Sequence, residues 1–327
     1  MGVLGFFRIL ILGGGVTLVM VVFNILQVLS LPLQLTTAGR VWVTKWSSFA
    51  AGVIWYLISS TFEKIHGMPI TYSGDELPDG ESAIFLPNHQ GFSDFNLVNF
   101  VALRHKMLPN CKYFIKDSIK WMPFFGWGMY MMGMIFLKRN WDKDQGHVKS
   151  TFQFIKNNRI PVWLVSYLEG TRITPQKKEE SQAFAKQRGL PVLENVLIPR
   201  TKGFIATVQE LRGSHVTAVY DAVFAYRYKK TTLTKIPSLT RIYSGPLAPD
   251  YEVHVHVRRF PISSLPNDEA GLNKWVMERW MEKDKVLHRL NKSWTDGMEG
   301  LKNGGEWNQV WDHSQWANAV DSHRKAD

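Results

Sequence analysis

Cysteine is nearly absent: Cys111 is the only one in 327 residues. A single thiol excludes an intrachain disulfide and any cysteine-rich metal site. It fits a domain held in a reducing compartment. Acidic residues are also few beside basic ones, 28 Asp and Glu against 39 Lys and Arg, which leaves a formal charge of +11. That surplus favours anionic partners: nucleic acid, phospholipid headgroups or phosphorylated substrates. Nucleic acid is the poorest fit, because the aromatic residues cluster in apolar segments rather than among Lys and Arg. Internal repeats are lacking too. The length allows one large domain or two small ones, and 45% apolar content can fill a sizeable core.

Charge is missing altogether from Ile9 to Leu35, in "ILILGGGVTLVMVVFNILQVLSLPLQL". At about 1.5 Å per residue a helix over this run crosses a bilayer core, which takes about 20 residues. The run exceeds the roughly 7–15 apolar residues of a signal peptide, and no small-residue cleavage site follows it. An uncleaved membrane helix is therefore predicted. Only Arg8 and the α-amino group precede it, whereas Arg40, Lys45 and Lys64 follow. The positive-inside rule then puts the downstream domain in the cytosol. A second apolar segment, Val41 to Ser60, reads as a re-entrant or interfacial helix with Trp42, Trp46 and Trp55 at headgroup level. A third, Trp121 to Arg139, is broken by Pro123 and three glycines. It reads as a membrane-facing helix or acyl-lined wall leading into a strand, with methionines as adaptable lining.

The rest alternates between strand and helix patterns, which argues for an α/β fold: a mixed, largely buried sheet flanked by helices. Strands are predicted at Ser82 to Leu86, in "CKYFIK", "IPVWLV", "VLIPR", "VTAVYDAVFAYRY" and "YEVHVHVRRF". Helices are predicted from Asp94 to Leu103 and from Asp268 to Trp294, the latter with Leu272, Val276, Trp280, Leu287 and Leu290 near one face. The tail from Gly297 is expected to be loosely ordered.

"PNHQGFSDF" places His89 just past a buried strand and Asp94 five residues on, near a helix start. Strands of α/β sheets deliver reactive groups at their carboxyl ends. Five residues along a helix would set the side chains about 140° apart. They meet only if His89 precedes the helix and the turn, with Gly91 in it, folds it back. A neutral imidazole can take a hydroxyl proton at neutral pH, and a carboxylate on its other nitrogen fixes the tautomer. "YLEGTR" follows another strand. There Arg172 can grip a phosphate, Gly170 permits close approach and Glu169 orients Arg172 or the loop. Lys138 and Arg139 end "GMIFLKR", and Pro199 and Arg200 lie in "VLIPRTKGF". His254 and His256 share one strand face, but no carboxylate pattern supports a metal there. His105, His288 and His313 read as surface residues.

The ordered set "NHQGFSD", "GMIFLKR", "YLEGTR" and "VLIPRTKGF" resembles the glycerolipid acyltransferase family of the lysophosphatidic acid acyltransferase type. "HVRRFPISSLPND" and "WMEKDKVL" look most like its eukaryotic branch with lysocardiolipin and lysophosphatidylinositol acyltransferases. The likeness runs from about Pro69 to Lys285. It implies that His89 is general base on the acceptor hydroxyl and Asp94 its partner. It implies an acceptor phosphate held by Lys138, Arg139 and Arg172 with Glu169, Gly170 and Thr171, while Pro199 and Arg200 shape the acyl or CoA side. Acyl-CoA would be a co-substrate and a lysophospholipid the acceptor, with no cofactor, no metal and no covalent acyl-enzyme. It further implies an integral membrane protein of the endoplasmic reticulum, or else of a mitochondrial membrane. A non-catalytic lipid-binding protein of the same fold is the alternative. One departure is plain: Tyr167 and Leu168 stand where the family usually has Phe-Pro. The implied divisions are residues 1–63 for membrane helices, 64–262 for the catalytic domain, 263–296 for a helix packed on or near it, and 297–327 for the tail.

Overall fold

A computed structural model of the chain describes residues 3–138, 140–229 and 236–294. Helix α1 (Val3–Leu29) and a short 3-10 turn (Leu31–Leu35) lead into α2 (Thr37–Ser60). Strands β1 (Ile70–Gly74) and β2 (Ser82–Pro87) follow, then α3 (Asp94–Arg104), β3 (Cys111–Lys116), α4 (Phe125–Met131) and β4 (Ile135–Leu137). Next come α5 (Trp141–Asn157), β5 (Trp163–Val165), α6 (Pro175–Gln187) and α7 (Lys202–Leu211). The last elements are β6 (Val216–Tyr228), α8 (Leu239–Ser244), β7 (Tyr251–Pro261) and α9 (Glu269–Lys292). The predicted tail and His313 lie outside the described residues.

The strands form one mixed sheet in the order β1-β7-β6-β2-β5-β3-β4. β6, β2, β5, β3 and β4 run parallel to one another, and β7 turns back antiparallel along β6. Alternation along the strands explains why helices cover both faces. Ala83 and Phe85 of β2, Trp163 of β5 and Tyr220 of β6 point into one core with residues of α2 and α3. Ile84, Leu86, Leu164 and Val219 point into a second core beneath α5, α7 and α9. All six residues of β2 are buried, as a central strand covered on both faces requires. The five predicted apolar positions of α9 are buried as well. They seat that helix across the middle of the sheet.

Only α1, over Leu4–Leu29, is long and apolar enough among the described helices to cross a membrane by length and composition, and it is almost wholly unburied. Helix α2 instead buries Val43, Ala50, Ile54 and Trp55 against the domain, leaving Trp42 and Phe49 outward. Trp55 was expected at headgroup level; it is a core residue, packed edge-on against Phe95 at 4.8 Å between ring centroids. Around α4, Trp121, Met122, Trp127 and Tyr130 are exposed, in keeping with an apolar outer wall. The predicted strand at Val196 to Pro199 is instead an irregular extended segment. His105, expected at the surface, keeps only 12% of its side chain exposed. Burial pulls its pKa down to about 4.

Candidate active site

The parallel strands end on one side of the sheet, and the candidate residues collect there. β2 stops at Pro87, which has no N–H to extend the ladder. Asn88 takes over: its amide donates to the Phe224 carbonyl at 3.0 Å and accepts from the Phe224 N–H at 2.7 Å. That side chain imitates one more strand residue and releases the backbone to turn. His89 is then clamped by its main chain. Its N–H donates to Glu169 Oε1 at 2.9 Å, and its carbonyl accepts from Ile173 N–H at 3.0 Å.

The turn carries the imidazole back to the start of α3. His89 Nδ1 lies 2.9 Å from Asp94 Oδ2. The same oxygen accepts from the Gln90 and Gly91 amides at 2.6 and 2.9 Å, and Oδ1 accepts from the Tyr226 hydroxyl at 2.7 Å. Asp94 is fully buried. Its charge is met by these donors and by the positive end of α3. An ionised Asp94 makes Nδ1 the donor, leaving Nε2 with a free lone pair. His89 also stacks on Tyr167, ring centroids 4.1 Å apart. Gly91 lies in that turn as expected, its φ outside the left-handed region; a Cβ there would come within 2.5 Å of the Ile236 side chain, which would have to shift.

Glu169 does not orient Arg172. Its two oxygens join the His89 N–H to the Leu197 N–H, at 2.9 and 3.1 Å. This stitch draws Val196 to Pro199 beside the His89 turn, helped by Ser181 Oγ accepting from Ile198 N–H at 2.9 Å. Arg200 N–H donates to the Leu168 carbonyl at 2.8 Å. Its guanidinium then lies over Gly170, whose φ is +69° and where a Cβ would sit 3.2 Å from Nε. Gly170 is thus required twice, by conformation and by contact.

His89, Gly170 and Arg200 line one cavity of about 360 Å³, with Lys116 at the end of β3 and Tyr167. Asp144 also reaches it, but its carboxylate accepts from the Lys138 and Asn140 amides at 2.9 and 3.1 Å. The structure thus gathers His89, Asp94, Glu169, Gly170 and Arg200, and Pro199, next to Arg200, is buried. Arg172 is exposed and is not part of this lining, and Lys138 is exposed at the end of β4. Thr171 is half-buried in the turn. Arg139 lies outside the described residues. Sequence reading missed Asn88, Lys116, Tyr226 and Lys283. Lys116 is a cation ending a predicted strand, and Asn88 and Lys283 stand in "NHQGFSD" and "WMEKDKVL".

His254 and His256 do not form a metal pair. Ser73 Oγ lies 2.8 Å from His254 Nε2 and 2.6 Å from His256 Nδ1, and Thr71 Oγ1 is 2.8 Å from His254 Nδ1. They serve the β1–β7 seam. Among the described residues no cluster of three or more metal-ligating side chains occurs.

Burial pushes the Glu169 carboxyl up to about 8 from its ordinary 4.5, against the two amide donors and the charge of Lys283. A raised acid binds its proton more tightly folded than unfolded. Stability is then complete below pH 4.5 and falls as pH rises towards 8. Glu169→Gln should flatten that fall. The unfolding midpoint of the detergent-solubilised variant is expected to change a few degrees less between pH 5 and pH 8 than that of the wild type. Identical slopes would mean that Glu169 is ionised throughout.

The acyltransferase family model matches residues 69–221, which contain all four motif blocks, and the acyltransferase C-terminus model matches residues 249–302. The chain belongs to the acyltransferase family. Among relatives, it is 36% identical over 228 residues to a probable 1-acyl-sn-glycerol-3-phosphate acyltransferase 5 of Arabidopsis thaliana, covering 69% of this chain and 58% of that protein. It is 33% identical over 262 residues to lysocardiolipin acyltransferase 1 of Danio rerio, covering 80% of this chain and 65% of that one. A 1-acyl-sn-glycerol-3-phosphate acyltransferase 3 of Arabidopsis thaliana is 35% identical, over 65% of this chain and 55% of its own length. The chain thus spans somewhat more than half the length of these relatives. Lys283 falls within the C-terminal match.

Proposed function

We propose that the protein is a membrane-bound lysophospholipid acyltransferase that uses acyl-CoA. The observation that carries this is the His89–Asp94 pair opening into a cavity that Arg200 and Lys116 make cationic. The acceptor hydroxyl lies against His89 Nε2. As its oxygen bonds to the thioester carbonyl carbon, the proton passes to Nε2 and Asp94 stabilises the resulting imidazolium. The tetrahedral carbon then expels the CoA thiolate, C–S breaks, and the imidazolium returns the proton to sulfur. No enzyme nucleophile takes part, so the kinetics are sequential.

Arg200 holds the acceptor phosphate in this reading, with Lys116 as a second cation. Arg172, one residue before the Ile173 amide that binds the His89 carbonyl, meets the same anion from the rim. Helix α1 anchors the domain, and the charge bias beyond it favours a cytosolic active site, as at the endoplasmic reticulum. The relatives' names favour lysophosphatidic acid or lysocardiolipin as acceptor.

The test is a panel of lysophospholipids with labelled acyl-CoA, run on wild type and Arg200→Gln. Loss of one charged contact should raise KM for lysophosphatidic acid about 10- to 100-fold. KM for acyl-CoA should hold. A rise confined to acyl-CoA would move Arg200 to the donor side. No transfer to any acceptor would sink the enzymatic reading in favour of a lipid-binding protein.

A further inference from the structure

A second crevice, of about 350 Å³, lies on the other face of β4. Phe136 lines it, whereas Leu137, the next residue and so oppositely directed, lines the cavity with His89. Its walls come from the start of α2 (Arg40, Thr44), the start of β3 (Lys112) and α5 (His147, Phe154). Among the described residues no carboxylate lines it. The Arg40 guanidinium rests 4.4 Å from the centre of the Phe154 ring, at the edge of the crevice.

Lys112 sits behind this wall. Its side chain is fully buried, and its ammonium donates to Ser48 Oγ at 3.3 Å and to the Met132 carbonyl oxygen. No carboxylate lies within ion-pair distance of it among the described residues. Burial brings its pKa down to about 8, so at neutral pH it stays largely protonated. A buried charge without a carboxylate beside it is costly; the bonds to Ser48 and Met132 offset part of that cost, and an anion in the crevice would offset more.

One wall is apolar, built from Met131, Met134, Phe136, Ile155 and Ile160, and Gln34 of the turn after α1 reaches the crevice beside it. Leu31, Leu33 and Leu35, on the turn joining α1 to α2, are exposed, and Arg40 follows within five residues. With α1 across a bilayer, Arg40 and the crevice sit at headgroup depth. A cationic end, an apolar wall and that depth together match one ligand class.

We propose that this crevice binds the phosphate of a membrane phospholipid, at a site separate from the catalytic cavity. The proposal rests on α1 being a membrane helix and is independent of the acyltransferase chemistry.

The experiment uses the full chain, purified in detergent and stripped of lipid. A short-chain phosphatidic acid carrying a photoreactive acyl group is cross-linked to it, and the labelled peptides are mapped. Label is expected in peptides from the start of α2, from β4 and from α5. Arg40→Gln/His147→Gln should raise the lipid concentration for half-maximal labelling there about tenfold or more. Both residues are exposed, so the fold should not suffer. Arg200→Gln should leave this labelling unchanged while reducing label near His89. Unchanged labelling in the double variant, or equal labelling by a phosphate-free diacylglycerol probe, would overturn the proposal. Displacement of the probe by millimolar inorganic phosphate would overturn the lipid source, since a membrane phosphate must resist its free counterpart.

Discussion

His89→Ala should lower turnover of lysophospholipid by about 10²–10⁴-fold, the range that a positioned general base supplies. The protein should still fold and stay in the membrane. The main-chain bonds of residue 89, to Glu169 and from Ile173, do not need the imidazole. Asp94 would keep the Gln90, Gly91 and Tyr226 donors, so its buried charge stays satisfied. The loss should therefore appear in kcat, with KM for the acceptor little changed. Asp94 is unsuitable for the same test, because its removal would strip four hydrogen-bond partners from the turn. Rates are measured with labelled acyl-CoA on protein whose membrane fraction and unfolding midpoint match the wild type. Turnover within threefold of wild type would refute the assignment of the base.

Much of this arrangement was readable before any coordinates, and the reasons are local. The charge-free run from Ile9 to Leu35 holds most of the long apolar helix α1 and the turn after it. The alternation in β7 and the stripe in α9 follow directly from side-chain period. His89 and Asp94 are five residues apart, so one turn decides whether they meet. What could not be read was held by distant partners. Val196 to Pro199 has strand composition, yet its amides bond Glu169 and Ser181 rather than a neighbouring strand. Trp55 looked interfacial because amphipathic rings favour that depth, but the space beneath α2 claims it. Arg200, brought in by the Glu169 stitch, lines the cavity, whereas Arg172 of "YLEGTR" stands exposed outside that lining.

Lys283 was the least legible of all, and replacing it should have the largest effect on stability. It lies on α9, wholly buried, and its ammonium donates to the carbonyls of Leu86 at 2.9 Å and Ala222 at 2.6 Å. It pairs as well with Asp221 of β6, itself nearly buried. Leu86 is three residues before His89, and Ala222 is two before Phe224, the residue that holds Asn88. Lys283 therefore ties α9 to both strands that carry the His89 turn. Lys283→Ala would strand the Asp221 carboxylate and two carbonyls in a dry interior. Breaking a buried pair from one side costs about 3–5 kcal/mol, which lowers the unfolding midpoint by on the order of 10 °C in a domain of this size. Most of that loss comes from the orphaned charge rather than from the pair's own attraction. Lys283→Met with Asp221→Asn should therefore recover more than half of it, since the charge goes with its partner. The double-mutant cycle, followed by thermal unfolding in one detergent, separates the two contributions. A single variant within 2 °C of wild type would show that Asp221 reaches water or takes up a proton. A double variant as unstable as the single one would show that the bonds to Leu86 and Ala222, not the ion pair, hold α9 against the sheet.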